Sequence, residues 1–293
     1  MLGEACALGA AMCWSVSLIL FKSSDEVSPL AMNLFKNVMA LLLLAVTMVV
    51  LGQRIDTSRS TEDWLRLVVS GALGIAVADT LTFMALRKLG AGLLAVVDTA
   101  YSPTMVCLGV LALGERLSMR FVLGGLLVLV GVLVAVLERP SSAMDVGERR
   151  AGIALGITGI LVMGLGVILS KPVVERGHLV EVSAIRLAAG VAAQLVWVMF
   201  VPAHRSALAI LKPAPSWRRL VPAAFLSAYL SMLFWLGGFK WTTAARASVL
   251  NQLTTVFTIV LARVMLGEAL SKRRAAGALV AASGALVVLL ARG

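Results

Sequence analysis

Apolar runs of about 20 residues recur along the whole chain, each closed by a short polar or basic stretch, and runs of that kind predict membrane-spanning helices. Ten are predicted, over residues 4–22, 29–51, 64–87, 91–112, 119–138, 151–170, 181–201, 217–240, 244–266 and 274–291. At about 1.5 Å per residue, a 20-residue helix covers the roughly 30 Å hydrocarbon layer. Three connections are polar enough to leave the membrane: Gln53–Asp63, Arg139–Arg150 and Pro202–Ser216. The other connections are short, so consecutive spans run antiparallel as neighbours. No stretch has the length or alternation of a soluble domain.

The pattern is written twice. Leu113-Gly114-Glu115-x-Leu117-Ser118-x-Arg120 returns as Leu266-Gly267-Glu268-x-Leu270-Ser271-x-Arg273, displaced by 153 residues. At the same offset Trp64 matches Trp217, Arg66 matches Arg219, Gly124 matches Gly277 and Gly131 matches Gly284. Near the start the offset shrinks: Lys22 aligns with Lys171 and Lys36 with Arg186. Residues 1–138 thus form a first five-helix repeat, 139–150 a linker and 151–293 a second repeat. Five is odd, so the two copies enter the membrane from opposite sides. The expected fold is an all-α integral membrane protein, with ten transmembrane helices in two inverted five-helix repeats. That plan is common among secondary transporters, whose site lies near the midplane between the halves.

Ala91-Gly-Leu-Leu-Ala-Val-Val-Asp-Thr-Ala-Tyr-Ser-Pro103 with its Leu-Ala-Leu-Gly-Glu-Arg-Leu-Ser118 ending resembles the EamA-type drug/metabolite transporter superfamily, as does Ala244–Leu250 with Val-Met-Leu-Gly-Glu-Ala-Leu-Ser271. The resemblance covers essentially the whole chain. It implies a carrier of the cell inner (cytoplasmic) membrane with both termini cytoplasmic, often an exporter of metabolites or amphipathic compounds. It also implies a cavity lined by helices one, three, four, six, eight and nine. One departure concerns shape: Pro103 in the fourth span has Val256 as its counterpart, so a proline bend is expected in the first copy alone. The basic residues do not orient the chain, with about ten Lys/Arg on one side and about thirteen on the other.

Composition agrees with a membrane protein. Hydrophobic residues make up 60% and charged residues 14%, and the mean hydropathy is +0.98; soluble domains hold about 45–50% apolar residues. The net charge of +11 comes from basic clusters between the apolar runs, where they meet lipid headgroups. It forms no aromatic-interleaved face, which argues against nucleic acid. Cys6, Cys13 and Cys107 fall inside apolar runs, match no zinc or redox spacing and read as buried small hydrophobes. Glu4 stands where a signal peptide would be basic, so Met1–Phe21 reads as a first span. No nucleophile–base set, metal cluster or phosphate-binding loop is visible, so neither an enzyme nor a cofactor is expected.

Charges inside spans are costly and point to function. Lys36, Asp79 and Asp98 fall at a common depth of roughly 10–12 Å from one face, where a lysine between two carboxylates forms either a structural network or a coupling site. In the second copy the base is kept as Arg186, while Asp79 becomes Met232 and Asp98 becomes Asn251. Helical spacing groups Trp14 with Ser17, Asp79 with Phe83, Asp98 with Tyr101 and Ser102, and Asn251 with Thr254 and Thr255. Tyr229, Trp235 and Met163 complete the candidate substrate-binding set, on the faces that the resemblance implies line the cavity. The glycines of helices five and ten read as packing or homodimer surfaces. Glu115 and Glu268 read as caps on the next helix or as partners of Arg120 and Arg273. The expected function is secondary transport of a small molecule across the lipid bilayer, by export and alternating access. The alternatives are a gradient-driven uniporter or exchanger without proton coupling, and a non-transporting sensor or assembly subunit.

Overall fold

Hydrocarbon offers the backbone no hydrogen-bond partner, so apolar segments close their bonds within themselves as helices. The structure, a computed structural model, describes residues 1–22, 27–136, 145–266 and 271–291, and every regular element among them is helical. The first two spans are α1 (Leu2–Lys22) and α2 (Pro29–Val50). The third and fourth are built from α3 (Thr61–Gly71), a π-helical segment (Ala72–Ala78), α4 (Asp79–Asp98) and α5 (Tyr101–Leu113). The chain reverses direction within α4, because Leu89 packs on Gly152 while Ala85 and Val97 both pack on Gly156. The fifth span is α6 (Met119–Val136), and α7 (Val146–Arg176) and α8 (Leu179–Phe200) follow. The eighth span joins α9 (Trp217–Ala224), a second π segment (Phe225–Leu230) and α10 (Ser231–Trp241). The ninth joins α11 (Ala244–Asn251) to α12 (Leu253–Leu266), and α13 (Lys272–Leu290) is the tenth. Nine helices among the described residues are long and apolar enough to cross a membrane, and the shorter apolar helix Met119–Ala135 holds the fifth place. The end expected for that helix, and Gly267, Glu268 and Leu270 of the second motif, lie outside the described residues.

The sixth span outruns its predicted bounds of 151–170. It starts early because the Asp145 carboxylate accepts from the amides of Gly147 (2.8 Å) and Glu148 (3.1 Å). It runs on through Pro172 because Lys240 Nζ reaches over from α10 and donates to the carbonyls of Val174, Glu175 and Gly177 at 2.7–2.8 Å. The stretch Pro202–Leu211, expected as a polar linker, winds into a 3₁₀ helix. Cys6 is buried as expected and Cys13 is half-buried, but Cys107 faces outward, because the apolar face of a membrane helix can also meet lipid.

The Gly-Glu motif ends α5 in an unexpected way. Gly114 takes the left-handed conformation (φ 66°) and stops the helix. Glu115 then folds back over Gly109 and accepts from the amides of Ala244 (2.6 Å) and Ala245 (3.0 Å). It caps α11 of the other repeat, rather than the following helix or Arg120. Arg246, one turn into α11, binds Glu4 at 3.0 Å and also the Ala291 carbonyl, so both ends of the chain lie at one face of the bundle.

The glycines of the fifth and tenth spans meet each other inside the chain. A methyl on Gly124 would come within 2.9 Å of the Gly284 carbonyl, and one on Gly277 within 2.6 Å of the Gly131 carbonyl. These two contacts interchange under the repeat, since Gly124 matches Gly277 and Gly131 matches Gly284. They therefore express a pseudo-two-fold axis between the copies. Of the two roles expected for these glycines, packing and homodimer contact, the structure shows the first: close packing within one chain occupies both glycine faces. Gly277→Leu should force the seam apart and lower stability by about 1–3 kcal/mol, read as a fall in melting temperature of the purified protein. Gly125→Ala, whose methyl would meet only Val249 at 3.6 Å, should melt like the parent.

Candidate functional site

Two kinds of backbone irregularity interrupt the spans, and each occurs once per repeat. The π segments begin at Ala72 and Phe225, which are 153 residues apart. The fourth span breaks at Thr99–Ala100, where short-range bonds replace helical ones (Thr99 N to Val96 O, 3.2 Å; Ala100 N to Val97 O, 3.0 Å). The ninth breaks at Gln252, whose amide reaches Val249 O at 3.2 Å. The residues just before the breaks, Asp98 and Asn251, are repeat equivalents. Both copies therefore break, and only the first break lies beside a proline, so the proline stays confined to one copy while the irregularity does not. Pro103 lacks the amide that would serve the Thr99 carbonyl in the first copy. In the second, the Thr254 hydroxyl takes the Asn251 carbonyl (2.8 Å), while the Ser15 hydroxyl is shared between the Ala11 carbonyl of its own helix (2.7 Å) and that of Thr254 (2.9 Å).

The two breaks touch. The Gln252 side-chain amide donates to the carbonyls of Asp98 (3.0 Å) and Thr99 (3.4 Å). Thr99 and Gln252 are themselves equivalents, so this contact sits on the pseudo-two-fold axis. Irregular backbone at membrane depth survives only where protein satisfies it or where it lines a cavity.

Of the three charges placed at one depth, two meet. Lys36 Nζ lies 2.9 Å from Asp79 Oδ2 and 3.1 Å from Asn37 Oδ1, and 6.0 Å from the centre of the Trp14 ring. Asn37 donates to Asn33 (3.1 Å) and to Gln194 (3.2 Å), and Gln194 donates to the Ile75 carbonyl (3.4 Å) within the first π segment. Asp98 does not join, which corrects the three-charge network. The break brings it against the ninth span, where Gln252 holds its carbonyl, and its carboxylate has no ion pair or hydrogen bond among the described residues.

A second cluster forms between the halves. Trp235 Nε1 donates to Tyr101 Oη (3.1 Å), and the Trp235 ring meets Phe239 edge-on at 4.9 Å. Arg186 Cζ lies 6.0 Å from the Trp235 centroid. The other predicted residues divide. Ser17 is buried and its hydroxyl bonds back to Trp14 O (2.7 Å), so it is committed to its own helix. Ser102 is buried, and Met163 and Thr255 are half-buried. Tyr229 is drawn away by Thr47 of α2 (2.7 Å). The Asn251 side-chain nitrogen is buried with no acceptor. Gln252, Gln194, Asn37 and Ser70 were not in the predicted set, although Gln252 adjoins Asn251 in sequence.

A cleft opens at each face. At the face holding the chain ends, one of about 580 Å³ is lined by Glu115, Lys171, Lys240, Trp241 and Arg246. Opposite, one of about 750 Å³ is lined by Asn33, Thr80, Phe83, Arg87, Trp197 and His204. Phe83 thus belongs to this outer cleft, whose inner wall, Asn33, adjoins the Lys36–Asp79 pair through Asn37.

A profile described as the EamA-like transporter family matches residues 1–137 and 150–290. Among solved structures, one described only as "Crystal structure of protein" is 18% identical, covering 98% of this chain and 96% of its own, with a TM-score of 0.82; a likeness at that identity concerns the fold. No curated protein matches the chain.

The ion pair makes a direct test. Asp79→Leu should leave Lys36, which is 4% exposed, without its counter-ion and cost about 3–5 kcal/mol. Adding Lys36→Met should restore most of the melting temperature. Equal melting of single and double variants would show that the pair contributes no coupling.

Proposed function

The chain belongs to the EamA-like transporter family, and we propose that it is a secondary carrier exporting small metabolites or amphipathic compounds by alternating access across the inner membrane, with its termini on the cytoplasmic side. The observation that carries this reading is the contact of the two broken spans on the pseudo-two-fold axis, joined by Gln252. Broken helices at corresponding positions of inverted repeats are where transporters of this plan hold substrate. Around the breaks, Asp98, Tyr101, Ser102, Trp235, Asn251 and Thr254 offer aromatic faces beside polar groups, which suits a molecule with an apolar body and a polar end. Opposed rocking of the halves about the axis would expose such a site to the two clefts in turn.

Two roles separate among the acids. Asp79 neutralises Lys36 and is structural. Asp98 carries the only in-span carboxylate among the described residues without an ion pair or hydrogen bond, and it is the candidate for proton coupling. A gradient-driven uniporter or exchanger is the second reading, favoured by the engagement of Asp79.

Flux in reconstituted vesicles tests both. Saturable movement of at least one compound from a broad metabolite and amphipath panel is expected, and none in either direction would sink the carrier reading. Under coupling, Asp98→Asn should remove the pH dependence of transport by the wild-type chain. Unchanged pH dependence in Asp98→Asn, with counterflow intact after the proton gradient is collapsed, would favour uniport or exchange.

A further inference from the structure

We propose that Arg186 recognises an anionic group on the transported molecule, a carboxylate, phosphate or sulfonate, with the Trp235–Tyr101 pair flanking the part next to it. The inference deepens the carrier reading and rests on it for the word "transported".

Arg186 lies seven residues into α8, about 10 Å from the face that holds the chain ends. It is 2% exposed. Its Nε donates to the neutral Ser70 hydroxyl at 2.9 Å, and neither terminal nitrogen has an acceptor among the described residues. Asp79 is engaged with Lys36, Glu181 with Arg59, Glu4 with Arg246 and Glu115 with the amides of α11, and Asp98, which has no partner among the described residues, makes no ion pair with Arg186. A guanidinium keeps its charge, and a buried charge without a counter-ion is strongly unfavourable unless an anion visits it.

The comparison between copies sharpens this. Lys36, the counterpart of Arg186, has its acid in Asp79; at the position equivalent to Asp79 the second copy has Met232. One half of the molecule is balanced internally and the other is left open. The base has also become the residue whose planar fork matches two oxygens of one anion.

The elements around the guanidinium approach it through small residues. Gly71 lies against the Arg186 main chain, and a methyl on Gly74 would sit 3.7 Å from Nη2, so apart from the Ser70 hydroxyl the third span meets it with glycine at these positions. Gly166 of α7 packs on Gly74 and adds none. Trp235 supplies an aromatic wall, with its indole nitrogen anchored on Tyr101.

The test uses the full chain in neutral detergent with matched probe pairs: phenylacetate against phenylacetamide, and benzenesulfonate against benzenesulfonamide. Inorganic phosphate and phosphatidylglycerol are added as separate arms. The anions should raise the melting temperature saturably and the amides should not. Arg186→Gln should weaken anion binding about 10- to 100-fold, the effect of losing charge-assisted hydrogen bonds, and Arg186→Lys should keep part of it. Equal stabilisation by acid and amide, no stabilisation by any anion, or unchanged binding in Arg186→Gln overturns the proposal. Stabilisation by phosphatidylglycerol alone also overturns it, since the site would then hold lipid. If Arg186→Gln does not fold, the acid–amide contrast on the wild-type chain decides. Flux keeps the two readings apart. Arg186-dependent binding without flux sinks the carrier and keeps the anion site, whereas saturable flux that ignores solute charge does the reverse.

Discussion

A carbonyl oxygen in hydrocarbon has no water to bind, and the broken spans of this molecule depend on that constraint. A break in a helix frees acceptors, so each must come with a donor from elsewhere. Gln252 serves Asp98 and Thr99, Thr254 serves Asn251, and Gln194 serves Ile75 in the π segment. The same need organises the bundle ends, where Lys240 closes α7 and Glu115 opens α11. Much of the polar inventory of this chain therefore acts as backbone caps reaching between elements. Few polar groups remain beyond these duties, which is why Asp98, Asn251 and Arg186 stand out.

The repeat divides structure from specialisation. What both copies share is geometry: π segments and breaks at matched positions, and a glycine seam that maps onto itself. What they do not share is charge. The first half pairs Lys36 with Asp79, while the second keeps a cation beside aromatic rings. Inverted copies of one scaffold thus present unlike chemistry to the space between them.

The spans, the repeat and its inversion were legible because length and polarity encode them directly, and close packing at the glycines was legible because close helix approach demands small residues, but not which glycines face each other. The π segments were not, since Ala-Leu-Gly-Ile-Ala and Phe-Leu-Ser-Ala-Tyr share no side-chain signal for backbone geometry. Equal depth placed Lys36, Asp79 and Asp98 together, but depth says nothing of direction around a helix axis, and Asp98 points its main chain at another span. Glu115 was read against its sequence neighbours, whereas its partners lie 129 and 130 residues away. Seeing Arg186 as unbalanced required knowing which acids were already taken.

The seam between the fifth and tenth spans has a mechanical consequence. Its contacts bring main chain close to main chain at Gly124 with Gly284 and at Gly131 with Gly277. A side chain larger than hydrogen at any of the four positions would meet opposing backbone at under 3 Å, so the register of the two helices is fixed. Val128, Val132, Ala281, Ala285 and Val288 are buried in one cluster around these contacts, so the glycines sit among interlocked side chains. The two helices are therefore locked together as one rigid pair that ties the fifth span of the first copy to the last span of the second. Any force that reaches one copy is thus passed to the other along this pair rather than through its loops.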